Sequence, residues 1–408
     1  MKKPYQRLME YAMVNTMSDD RVETSPTTQV QFDLANRLYK ELEALGVSDL
    51  YLDDSCVLYG KIPATPGQEN APAIGFIAHL DTIPDFPGEE VKPLVHENYD
   101  GTDIHLPLCG RVIRVSDFPH LANCVGKTII TASGDTVLGA DDKAGVAEIV
   151  CLCEELLTGD IPHGTVCIAF TPDEEVGLGT SRFDIPRFGA DFAYTMDGGQ
   201  AGDVEYENFN AASATVTVTG VNVHPGSAKN IMVNASLVAM EFAGMLPTAE
   251  TPALTEGHEG FYHLISMEGS VDKATLFYIL RDHDGNKLQN RVDTLRHIEK
   301  ILKEKYGEDA VNVSIRMGYR NMLEKISTRM EIVEGARRAT EKAGVTPVSD
   351  PIRGGTDGAN LTAAGLPCPN LGTGSYGFHG PYEHSVAEDM EKCVEIMKGI
   401  LKEFCIKK

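Results

Sequence analysis

The apolar positions of this chain change their period along its length, and those changes outline the architecture. Phe32, Leu34, Leu38, Leu42 and Leu45 recur with the spacing of one helical face, Gly46 supplies a stop, and Ser25-Pro-Thr-Thr supplies an N-cap with a first-turn proline. Short apolar runs follow at Ile74 to Ala78, Thr128 to Thr131, Val166 to Phe170 and Phe192 to Met196, each closed by turn residues and each of strand length. Between the second and third lies Lys143 to Leu157, whose 3.6-residue apolar period predicts a crossover helix. Strands alternating with helices imply an α/β layer with a mainly parallel sheet.

After Asn208 the pattern switches. Ala214 to Thr219 alternates with period two, Val233 to Leu246 reads as a helix, Phe261 to Ser266 and Thr275 to Leu280 as strands, Gly285 to Lys305 as a long charged helix, and Val311 to Met317 as a last strand. The order βαββαβ is that of a ferredoxin-like unit. From Ser327 the earlier helical pattern resumes, with Thr328 to Lys342, the strand Pro369-Asn-Leu371 and an amphipathic helix from Val386 to Phe404. The expected organisation is a discontinuous first domain, 1–207 and 322–408, interrupted by an inserted α+β domain at 208–321.

Composition narrows the partners. With 36 basic against 60 acidic residues the formal charge is −24, which disfavours nucleic acid and anionic membrane. No stretch approaches the roughly 20 apolar residues of a membrane span, and Leu8-Met-Glu-Tyr-Ala-Met-Val lacks the features of a signal peptide. Nine cysteines, an odd number, several of them inside apolar segments, suit a reducing compartment, so the expected location is cytoplasmic. Cys151-Leu-Cys153 has the wrong spacing for a CxxC redox or zinc pair.

Acid and imidazole appear where the apolar runs stop. His79, Glu174, Glu175 and Asp197 stand at or just past predicted strand ends, and Asp141 stands in the turn before the crossover helix. Open α/β sheets bind ligands beyond the carboxyl ends of their strands, so one rim of one sheet can collect them all. On a strand, His79 and Asp81 point to the same side, which lets Asp81 accept the second ring proton of His79. Gly139-Ala-Asp-Asp-Lys143 fits a capped helix start as well as a ligand loop, Asp197-Gly-Gly fits a turn, and His379 fits a surface loop. Taken together, five such segments offer the ligand types that zinc accepts. Adjacent carboxylates at a strand end point in different directions, so one of Glu174 and Glu175 can coordinate while its neighbour faces the cavity.

The phrases Ala78-His-Leu-Asp-Thr82, Gly139-Ala-Asp-Asp-Lys-Ala-Gly145, Thr171-Pro-Asp-Glu-Glu-Val-Gly177, Met196-Asp-Gly-Gly199, Asn222-Val-His-Pro-Gly226, Arg353-Gly-Gly-Thr-Asp-Gly358 and Gly377-Phe-His-Gly380 span nearly the whole chain. It resembles the co-catalytic zinc aminopeptidase, carboxypeptidase and acylase superfamily, and within it the tripeptide aminopeptidases. The resemblance implies a zinc-exopeptidase-like catalytic domain whose insertion serves as lid and dimerisation domain. It further implies two zinc ions per subunit, with cobalt or manganese as substitutes. His79, Glu175, Asp197 and His379 would be terminal ligands, Asp141 would bridge, Asp81 would orient His79, and Glu174 would be the general base toward a metal-bridged water. His224 is similar to a family histidine that reaches the partner subunit's active site, and Arg281 and Arg353 to positions that hold substrate. The implied reaction is removal of the N-terminal residue from tripeptides by a homodimer. A carboxypeptidase, dipeptidase or N-acyl amino acid deacylase on the same scaffold is the alternative, since one metal centre serves any amide. Gly-Pro-Tyr-Glu-His384 after His379 departs from the tripeptidase pattern.

Overall fold

The computed structural model describes residues 1–406, and the chain divides into two compact units. Unit 1 comprises 1–206, 324–350 and 356–408, and unit 2 comprises 207–323 and 351–355.

Unit 1 is built on a sheet with seven strands among the described residues: β1 (Ser48–Leu52), β2 (Leu58–Ile62), β3 (Ile74–His79), β4 (Val166–Thr171), β5 (Phe192–Gly198), β6 (Val204–Glu205) and β7 (Asn370–Gly372). They lie in the order β1-β2-β4-β3-β5-β7-β6. Pairing is parallel across β4, β3, β5 and β7 and antiparallel toward both edges, so the parallel character expected from the sequence is confined to the centre. Every residue of β3 and β4 is buried, as strands covered on both faces require. The helix Ala140–Thr158 packs on β3 and β5, and the helix Ala387–Glu403 packs on it and on Met330–Lys342.

The helix expected from Ser25 begins only at Gln31, after bends and turns over residues 25–30. It ends at Leu45, where Gly46 takes φ +95, the left-handed conformation that glycine adopts without a Cβ penalty. Gly145 meets a different demand. A Cβ there would lie 2.1 Å from the Met196 carbonyl oxygen, so its absence lets the 140–158 helix approach β5.

Unit 2 has the element order strand 210–219, helix 235–244, strands 261–269 and 273–282, helix 285–306 and strand 311–317. Its antiparallel sheet runs 261–269, 273–282, 210–219, 311–317. That is the ferredoxin-like arrangement. Ala212, Ala214, Val216 and Val218 alternate inward and meet Val238, Phe242, Leu295, Ile298 and Leu302 from the two helices. The segment 351–355 belongs to this unit. Ile352 donates its amide to the Glu207 carbonyl and accepts from the Phe209 amide, and the Arg353 guanidinium lies 5.0 Å from the Phe209 ring and 5.8 Å from that of Phe261.

Candidate metal centre

All five sequence-selected ligands lie in unit 1, two on central strands and three in segments that adjoin the sheet. β3 ends on His79, and β5 carries Asp197 near its carboxyl end. After β4 the chain turns through Asp173, at φ +54, into a single 3-10 turn, Glu174–Val176. The buried Asp173 carboxylate holds that turn by accepting from the amide and hydroxyl of Thr27 and from Gln31 Nε2. Asp141 stands at the start of the 140–158 helix, where it and Asp142 have non-helical backbone angles, and His379 follows the short strand Ser375–Tyr376.

Two donor groups result, one of His79, Asp141 and Asp197, the other of Asp141, Glu175 and His379. Asp141 belongs to both. Its Oδ1 lies 2.9 Å from His79 Nε2 and its Oδ2 lies 3.0 Å from His379 Nε2. Asp197 Oδ1 is 3.5 Å from His79 Nε2, and Glu175 Oε2 is 3.2 Å from His379 Nε2. One carboxylate thus presents an oxygen to each of two imidazoles drawn from positions 300 residues apart.

Electrostatics says what this pocket would accept. Burial drives the Glu175 carboxyl up to about 7 and that of Asp197 up to about 6. Burial works to lower the His79 pKa, yet the carboxylates of Asp141, Asp197 and Asp81 hold it well above the ordinary histidine value. His379 is raised to about 11 by its hydrogen bonds to Asp141 and Glu175. Buried carboxylates in such number require compensating positive charge. Glu175 Oε1 is buried without a hydrogen-bond partner among the described residues. Two imidazole nitrogens and three carboxylates, one of them with a buried oxygen in need of a partner, fit a pair of divalent cations.

Glu174 belongs to neither donor group. Burial first, then the negative charge of Asp197, raises its pKa well above the ordinary glutamate value. A buried carboxylate outside both donor groups is left free to accept and return a proton.

Further groups fix these side chains. Asp81 accepts the amide of Glu174 on Oδ1 at 2.9 Å and that of Glu175 on Oδ2 at 3.3 Å. His79 Nδ1 lies 3.1 Å from the Asp81 main-chain carbonyl and 3.3 Å from Oδ1. The orienting contact is therefore shared between backbone and side chain, with the carboxylate also engaged on the glutamate pair. Asp142 caps as the sequence allowed, taking the Gly145 amide on Oδ1 and the His79 amide on Oδ2. Asn370 Oδ1 accepts the Asp197 amide at 3.1 Å, and the buried Asp357 accepts from Thr171 Oγ1 at 2.8 Å. Glu383 accepts the main-chain amides of Leu138, Gly139 and Asp141. Sequence reasoning missed Asn370, Asp357 and Glu383. The signals available were Asp357 within Gly-Gly-Thr-Asp-Gly and Glu383 four residues beyond His379.

The remaining sequence-selected residues lie in unit 2. His224 is exposed, and its Nδ1 accepts from the Gly226 amide. Arg281 donates from Nη1 to the carbonyls of Ala212 and Leu280. Arg353 spends both Nη groups on the carbonyls of Thr255, Gly257 and Glu259 and on the Thr255 hydroxyl.

Comparison with known proteins agrees with this arrangement. Residues 206–310 match the M20 peptidase dimerisation domain, and residues 122–239 match the M42 glutamyl aminopeptidase family. The chain is 49% identical to Peptidase T of Alkaliphilus oremlandii over 98% of its own length and 99% of the relative's. It is 48% identical to Peptidase T of Halothermothrix orenii over the full length of both. Its fold is similar to crystal structures of the aminopeptidase PepT from Bacillus cereus, with TM-score 0.79, 24% identity and 98% of each chain covered, and of a tripeptidase from Staphylococcus aureus, with TM-score 0.78, 20% identity and 98% and 97% covered. With near full-length identity of this order and the donor groups in place, the chain belongs to the peptidase T family.

Proposed function

We propose that this protein is a two-zinc tripeptide aminopeptidase that works as a cytoplasmic homodimer. The observation that carries the reading is the placement of Asp141, one oxygen toward His79 and the other toward His379, with Glu174 beside the donor groups and outside both. His79, Asp141 and Asp197 would hold one ion, and Asp141, Glu175 and His379 would hold the other. When bound, such a pair acidifies water and polarises the scissile carbonyl.

Glu174 takes the proton of the attacking water and returns it to the departing amine, so one carboxyl serves both halves of the reaction. Asp81 keeps Glu174 and Glu175 in register by holding both of their amides. His224 supplies a donor to the developing oxyanion across the dimer; such a donor is commonly worth about 3 kcal/mol of barrier. Arg281 and Arg353 are the cations proposed to receive the substrate's C-terminal carboxylate, Arg353 in exchange for the carbonyls of Thr255, Gly257 and Glu259. A tripeptide spans at most about 10 Å, so a cationic anchor at fixed reach selects substrate length.

The dimer forms through unit 2. Among the described residues the strand 261–269 pairs on one side only, and Leu264, Ile265 and Met267 on it are exposed, as are Leu237 and Met240 on the helix 235–244. An unpaired strand edge beside apolar helix positions is suited to self-complementary pairing about a two-fold axis. Among the described residues no helix is long and apolar enough to cross a membrane. The nine cysteines are free, as a reducing compartment keeps them.

The test is a panel of dipeptides, tripeptides, tetrapeptides and N-acyl amino acids on purified, zinc-loaded protein. Tripeptides should be cleaved at the first bond, and Glu174→Gln should abolish turnover while metal content persists. Preferred release of the C-terminal residue, or of an acyl group, would replace this reading with the carboxypeptidase or deacylase alternative.

A further inference from the structure

We propose that Glu383 is a positioning residue, which fixes the backbone of Asp141 against the His379 loop and thereby sets the zinc affinity of both donor groups. The proposal rests on the two-zinc reading above for the identity of the ions. Its other premises are distances within unit 1.

The Glu383 side chain is buried, with the residue 1% exposed. Its Oε2 accepts the amides of Leu138 at 2.7 Å and Gly139 at 2.8 Å, and its Oε1 accepts that of Asp141 at 2.8 Å. Three N–H groups of one turn therefore converge on one carboxylate. Gly139 makes the convergence possible by taking φ +74, a left-handed conformation that turns successive amides toward the same side. The backbone of Glu383 is itself tied down. Its amide donates to the Gly380 carbonyl, and the next residues, His384–Val386, pair with the strand Ile129–Thr131 that leads toward the Leu138 turn. His379 lies four residues before Glu383, so one short segment carries a ligand of the second group and grips the residue shared by both. The direction in which Asp141 presents its two oxygens depends on this grip. Groups that orient metal ligands in this way typically set metal affinity by 10–100-fold.

Glu383→Gln keeps the volume and replaces one acceptor oxygen by an NH2. That NH2 must face either the Asp141 amide or those of Leu138 and Gly139, donor against donor. The experiment titrates Zn2+ into the chelator-stripped full-length protein in competition with a chromophoric chelator. Both zinc-binding steps in Glu383→Gln should weaken by roughly 10–100-fold. Val394→Ala, a core truncation on the 387–403 helix, should lower thermal stability and leave zinc affinity unchanged, separating positioning from general destabilisation. Wild-type zinc affinity in folded Glu383→Gln overturns the proposal. If that variant does not fold, Glu383→Asp keeps the charge but shortens the reach by about 1.5 Å. An intermediate loss of affinity is then expected, and wild-type affinity overturns the proposal.

Zinc affinity is read without peptide, so the two readings fail separately. A wild type that takes up zinc tightly, loses that affinity in Glu383→Gln and cleaves no tripeptide refutes the aminopeptidase function and supports the role of Glu383. Tripeptide cleavage with zinc affinity indifferent to Glu383→Gln does the reverse.

Discussion

Replacing Gly145 by alanine opposes two effects of known size at one atom. Alanine is the better helix former by about 1 kcal/mol, so propensity alone would stabilise the 140–158 helix. The neighbours oppose it: the new Cβ would lie 2.1 Å from the Met196 carbonyl oxygen, 2.5 Å from Asp142 Oδ1 and 2.8 Å from Met196 Cβ. The first contact is roughly 1.2 Å short of the ~3.3 Å at which carbon ordinarily meets a carbonyl oxygen. Relief requires the helix start to retreat from β5, and those two elements carry Asp141 and Asp197. Overpacking costs about 1–3 kcal/mol, so after the propensity gain a net loss of up to about 2 kcal/mol is expected. A ligand shift on the order of 1 Å should also lower turnover about 100-fold. Gly244→Ala is the matched control, since that helical glycine has nothing within 4 Å of its would-be Cβ. It should gain up to about 1 kcal/mol. The assay is denaturant unfolding of both variants in chelator, followed by tripeptide turnover with zinc restored. A Gly145→Ala protein as stable and active as wild type would refute the close-approach argument.

Glu148 is fully buried on the same helix, with neither carboxyl oxygen hydrogen-bonded among the described residues, and burial raises its pKa well above the ordinary value. The unfolded chain ionises first as pH rises, so this group's contribution is fullest below about pH 4 and declines as pH climbs toward the folded pKa. Glu148→Met should therefore gain roughly 1–3 kcal/mol over wild type, more at pH 8 than at pH 5; equal gains at both, by denaturation midpoint, would contradict the assignment. Ile265→Lys on the 261–269 edge and Leu237→Glu on the neighbouring helix should halve the mass seen by light scattering without loss of circular dichroism; an unchanged mass would place the dimer contact elsewhere. Arg281→Ala and Arg353→Ala should erode the preference for tripeptides over tetrapeptides, and unchanged selectivity in both would remove the anchor argument.

Much of the centre was legible because its residues interrupt apolar runs. His79, Glu174 and Asp197 stand at or just past the ends of buried strands, and an ionisable group at that point reads as a rim residue whatever the rest of the chain does. The inserted unit was legible because Ala214 to Thr219 shows a strict period of two and its element order names a topology. Glu383, Asn370 and Asp357 were not, because their partners are amides and a hydroxyl far away in sequence, and no local pattern marks a side chain whose work is to accept a remote N–H. Asp81 shows the same limit in part. The H-x-D spacing foretold its nearness to His79 but not its hold on the Glu174 and Glu175 amides. Ser25 misled because a cap signal beside proline describes a turn as readily as a helix start, and the helix waits until Gln31.

The five residues 351–355 bear on any attempt to excise or transplant unit 2. A fragment cut at 207 and 323 would strip Glu207 and Phe209 of their backbone partner Ile352, and would leave the rings of Phe209 and Phe261 without the guanidinium of Arg353. A faithful graft must carry that distant pentapeptide too, so the insertion is a module in space without being one stretch of the gene.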